Sequence, residues 1–146
     1  MGYTHYFRTT RGELDEEAFI SFAQDCERIF DLAKADGIET QWEHDCALGP
    51  QATPELVRFN GVGSEGHETF YFPRETESFS FCKTAQKPYD VVVVAVLCAA
   101  KERFGGAVEI SSDGDYLDRA SGRALYQRAT GADDVLAWDI DGEQSA

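Results

Sequence analysis

The decapeptide FCKTAQKPYD, residues 81–90, holds the side chains of this chain best suited to gripping an anion. Only four lysines occur in 146 residues, and two of them, Lys83 and Lys87, fall here. They precede a long apolar segment whose composition predicts a helix, and the unpaired N–H groups of a helical first turn already favour negative charge. Lys83, Thr84, Lys87, Tyr89 and Asp90, joined by His67 from a neighbouring hairpin, are therefore the candidate ligand-binding residues, with a small anion or nucleotide as ligand. A second reading needs no ligand. Thr84 caps the turn locally, Asp90 answers the helix dipole, and the lysines relieve acidic crowding.

Other chemistry-bearing combinations carry less. Gly61 to Gly66, GVGSEG, matches the G-x-G-x-x-G dinucleotide fingerprint, which works only where a strand enters and a helix leaves. The residues that follow, HETFYFP, compose a strand, so the glycines are expected in a hairpin turn, where positive φ angles call for them. His44, Asp45, Cys46, His5 and His67 lack the close repeat spacing of a zinc site, so no metal and no cofactor is expected. No G-x-S-x-G nucleophile elbow occurs, and Glu65, Glu68, Glu75 and Glu77 are unremarkable in so acidic a chain, so no catalytic residue is assigned.

The elements that must position these groups follow from periodicity. Phe19, Phe22, Ala23, Cys26, Phe30 and Ala33 recur at helical steps, which predicts a helix over 15–36 with Asp15 as N-cap, a Leu14–Phe19 staple and Gly37 as the stop. The segment PYDVVVVAVLCAAKERFGG predicts a second helix over 88–104, apolar nearly all round, so its inner side must meet the sheet and its outer side needs cover from residues 116–140 or from a second copy in a homodimer. Strands are predicted near 3–8, 38–43, 55–60, 67–72 and 107–111, with a short one at SFSFC. Residues 116–129 suit a short helix weakened by Gly122, and 136–140 an edge strand ahead of an acidic tail frayed from about 141. The expected fold is α+β: a mainly antiparallel sheet of about five strands, with two principal helices on one face, in a single domain over 1–146.

Charge sets the choice of partner. The chain carries 27 Asp and Glu against 13 Lys and Arg, a net charge of -14. Such a surface repels phosphate backbones and anionic lipid, so neither direct nucleic-acid nor membrane binding is expected, whereas a protein with a basic surface would be drawn in. A plainly solvated surface, suited to high salt, is the simpler reading. Cys26, Cys46, Cys82 and Cys98 form no C-x-x-C pair and the opening residues carry no apolar leader, so reduced thiols in a cytosol are expected.

MGYTHYF, FCKTAQKPYD and VEISSDGD, taken together in order, resemble a set of small acidic proteins encoded by tailed bacteriophages and prophages. The resemblance implies a phage accessory protein and supplies no catalytic residues. It suggests inhibition of a host defence protein, anti-CRISPR activity included, through an acidic surface similar in charge to nucleic acid. The rival reading is a small-ligand or nucleotide sponge, or a minor enzyme, built on Lys83, Lys87 and Tyr89.

Overall fold

The structure, a computed structural model, describes residues 3–10, 12–42, 48–75, 79–114 and 117–132. His44, Asp45, Cys46, Glu77, the edge strand at 136–140 and the tail from 141 lie outside these residues. The chain forms an α+β fold of strands β1 (Thr4–Thr9), β2 (Thr40–Gln41), β3 (Gln51–Ala52), β4 (Leu56–Gly61), β5 (Phe70–Pro73), β6 (Phe79–Lys83) and β7 (Val108–Ser112), with helices α1 (Glu16–Ala35), α2 (Asp90–Phe104) and α3 (Ala120–Thr130).

α1 starts and stops where its sequence directs. The Asp15 carboxylate accepts from the Ala18 N–H at 2.9 Å, Glu16 and Glu17 fill the first turn, and Gly37 takes φ 92° just past the end. Leu14 and Phe19 are both buried, as a staple across the cap requires.

Among the described residues, the single sheet of about five strands is replaced by two sheets and seven strands. One runs β6-β1-β7, and in the other β4 pairs with each of β2, β3 and β5; every one of these pairings is antiparallel. The cause is aromatic packing. Phe7 of β1 stacks on Phe72 of β5 at 5.4 Å, and Phe72 also meets Phe22 of α1 and Phe104 of α2, so one cluster of rings joins both sheets to the helices.

α2 is enclosed along Val92 through Ala100, each at most 1% exposed. It packs against α1, α3 and β7 within one chain. Residues 120–130 thus supply part of the expected cover. Gly122, which local propensity marks as a weakness, makes this cover possible. A Cβ there would overlap the Val94 side chain and sit 3.0 Å from the Val91 carbonyl, so only glycine lets α3 approach this closely.

Candidate functional site

The link from β6 to α2 is a tight turn in which Ala85 and Gln86 hold φ of 53° and 54°, while the Lys87 N–H donates to the Thr84 carbonyl at 3.0 Å. Two consecutive left-handed residues fold the chain back, as in a type I′ turn, although neither is the glycine or asparagine that such a turn favours. The reversal aims Thr84 at the start of α2, where its hydroxyl donates to Asp90 Oδ1 at 2.5 Å. Asp90 Oδ1 also lies 2.6 Å from His5 Nε2, and His5 Nδ1 lies 2.7 Å from Ser112 Oγ.

Sheet register makes that meeting possible. His5 pairs with Cys82 on one side and with Ser112 on the other, so β1 sets the imidazole between its two neighbours on the inner face. Asp113 fixes the end of the β1–β7 ladder: its carboxylate accepts from the Thr4 N–H and the Tyr6 hydroxyl, and its own N–H donates to the Thr4 carbonyl. The Tyr3 ring stands edge-on to His5 at 5.2 Å. Burial pushes the Tyr3 hydroxyl up to about 12, with the Ser112 side chain within hydrogen-bond reach of it. Thr84, Asp90, His5 and Ser112 therefore form one continuous polar chain, buried at Thr84 and His5 and half-buried at Ser112.

Of the sequence-predicted site residues, Thr84 and Asp90 meet directly. Tyr89 is buried, and its hydroxyl donates to the Glu68 carbonyl at 2.5 Å; desolvation raises it far above the ordinary tyrosine range. Lys83 is exposed, with its ammonium 5.8 Å from the centre of the Phe81 ring, and Lys87 is half-buried in the turn. His67 is exposed, with its backbone held by Asn60. The first-turn N–H groups of α2 are already engaged: Asp90 donates to Lys87, Val91 to Pro88, and Val92 and Val93 to Tyr89. The GVGSEG loop joins β4 to β5 as a hairpin, organised by the buried Asn60 side chain, which bonds to Gly61, His67 and Thr69.

The outer face of the sheet β6-β1-β7 is a second focus. Tyr6, Phe79 and Phe81 project from it, with Phe79 and Phe81 being 59% and 49% exposed. Tyr6 stacks on Phe79 at 6.0 Å and Phe79 tilts against Phe81 at 6.5 Å. Because the Tyr6 hydroxyl is tied to Asp113, its ring is held in place, and the same bond raises its pKa above the ordinary value. Lys83 flanks the rings at one end and the Arg8–Glu109 ion pair at the other. Beside them runs a groove of about 250 Å³ over Tyr6, Arg8, Phe79, Glu109 and Ser111.

Sequence reasoning missed His5 and Ser112 because their partners lie 85 and 107 residues away, beyond any local motif. The aromatic face carried a signal that was there to read: Tyr6 and Arg8 alternate along β1, and Phe79, Phe81 and Lys83 along β6. Among the described residues no group of three His, Cys, Asp or Glu is placed to hold a metal, and no helix is long and apolar enough to cross a membrane. No family model, no curated protein and no solved structure matches the chain.

Proposed function

We propose that this chain is a binding protein that acts by contact with a bacterial host protein, docking the outer face of β6-β1-β7 against it. The observation that carries the reading is the pair of exposed rings Phe79 and Phe81, packed with the half-buried Tyr6 on an otherwise strongly acidic molecule. Large rigid aromatics lose little conformational freedom on binding and dominate interface energetics, so a cluster of them in the open is costly in solution and useful at a contact. The net charge of -14 steers a partner with a basic surface toward the molecule, while the rings supply the short-range attraction. The resemblance to phage proteins makes a host defence protein the natural target, and a basic nucleic-acid-binding surface the natural epitope.

Capture from bacterial lysate on the immobilised protein tests this reading. The expected result is a partner whose yield falls steeply as salt is raised and which is lost with the double variant Phe79→Ser, Phe81→Ser. Capture that the double variant retains in full, or no partner at any salt, overturns it.

A further inference from the structure

The chain of hydrogen bonds through His5 has a fixed direction. A carboxylate only accepts, so the Thr84 hydroxyl and His5 Nε2–H both donate to Asp90 Oδ1, across 2.5 and 2.6 Å. An imidazole whose Nε2 carries the proton presents a lone pair at Nδ1, and that lone pair faces Ser112 Oγ at 2.7 Å. The Ser112 hydroxyl therefore donates to His5, which is the polarity needed to draw a proton from a serine nucleophile. The chain also runs outward. Thr84 and His5 are fully buried, Asp90 is nearly so, and Ser112 is the member that reaches the surface. Beside it lies the buried Tyr3 hydroxyl, within hydrogen-bond reach of the Ser112 side chain.

We propose that Ser112, His5 and Asp90 form an acyl-transfer site, with Ser112 Oγ as nucleophile toward small activated carboxylic esters. His5 is the general base and Asp90, braced by Thr84, is the positioning residue that holds the imidazole in its reactive tautomer. Ser112 Oγ bonds to the carbonyl carbon as its proton passes to His5 Nδ1, and the carbonyl π electrons move onto oxygen, where the Tyr3 O–H can donate. When the tetrahedral adduct collapses, the ester C–O bond breaks and the departing alkoxide takes the proton back from His5. A water molecule then attacks the acyl-serine, giving one proton to His5 Nδ1 and releasing the carboxylic acid. The proton on His5 returns to Ser112 Oγ. Nothing is oxidised or reduced, and water is the only co-reactant.

A fluorophosphonate probe, followed by intact mass and peptide sequencing, tests the assignment on the full chain. The expected result is a single adduct on Ser112, retained in Ser111→Ala and absent from Ser112→Ala. His5→Gln, with a melting temperature close to that of the parent, should label at least about 100-fold more slowly. p-Nitrophenyl acetate should give a burst of one equivalent of nitrophenol that is lost in the same variants. An unlabelled parent protein, an adduct elsewhere, or unchanged labelling of a folded His5→Gln overturns the proposal. Because none of these variants touches Phe79 or Phe81, the outcome is independent of partner capture.

Discussion

Ala85 and Gln86 show how much one turn can demand of two residues. Each sits in the left-handed region, where an ordinary side chain costs about 1–2 kcal/mol, and the chain accepts both to bring Thr84 back onto Asp90. Ala85→Asn together with Gln86→Gly installs the residues such a turn prefers, and neither native side chain is part of the core. The pair should raise the urea midpoint by the equivalent of about 1–2 kcal/mol with an unchanged m-value. An unaltered or lowered midpoint shows that the turn is not strained. Fine residue roles of this kind were the least legible in the sequence. Asp90 was readable as a helix first-turn acid, but its bond to His5 depends on a strand 85 residues earlier. Tyr89, attractive as a ligand contact by type, instead spends its hydroxyl on the Glu68 carbonyl.

Among the elements, α1 and α2 were the most legible because each carries its evidence within itself: a 3.6-residue stripe in one, an unbroken apolar run closed by glycine in the other. β-pairing carries none, since a strand's period fixes which side chains share a face and not which strand lies beside it. The outer-face rings on β1 and β6 were therefore separately visible while their union was not. The enclosure of α2 gives a sharp test. Val93 and Val94 are at most 1% exposed and point in directions about 100° apart, so each needs its own cover. Val93→Asp and Val94→Asp each bury an unpaired charge, and each should abolish cooperative unfolding at room temperature, read by circular dichroism. Parent-like melting in either variant means that the helix has an open side.

For the molecule as a whole, alkali is the revealing perturbation. Desolvation pushes Tyr3 and Cys82 up to about 12, drives Tyr89 and Tyr126 higher still, and raises Cys26 well above the ordinary thiol value. In the unfolded chain thiols ionise near about 8.5 and phenols near about 10. The folded state thus keeps protons that the unfolded state releases. The stability these groups contribute is fully present below about pH 8 and drains away as pH rises toward their folded values, at up to about 1.4 kcal/mol per pH unit for each. Urea unfolding should show a plateau near neutrality and a steep decline from about pH 9 to 11. Growing self-repulsion of an already acidic molecule pushes the same way, so the measurement belongs in about 1 M salt, where the Debye length is about 3 Å. A flat profile there rules out the buried ionisable groups as the source.

The position of β1 has a consequence in time. It is the central strand of its sheet, yet its partners are β6 and β7, which leave the ribosome about seventy and a hundred residues after it. A strand with both edges open must wait through most of synthesis, and the contacts that finally seat it are long-range, the kind that slow folding and expose sticky surface meanwhile. α1 and the β4–β5 hairpin can mature during that interval, because their contacts are local. Nascent chains stalled before Val108 should accordingly protect the amides of α1 from hydrogen exchange while leaving those of β1 open. Protection of β1 should arrive in one step once β7 has emerged, making the last strand of the sheet the event that commits the chain.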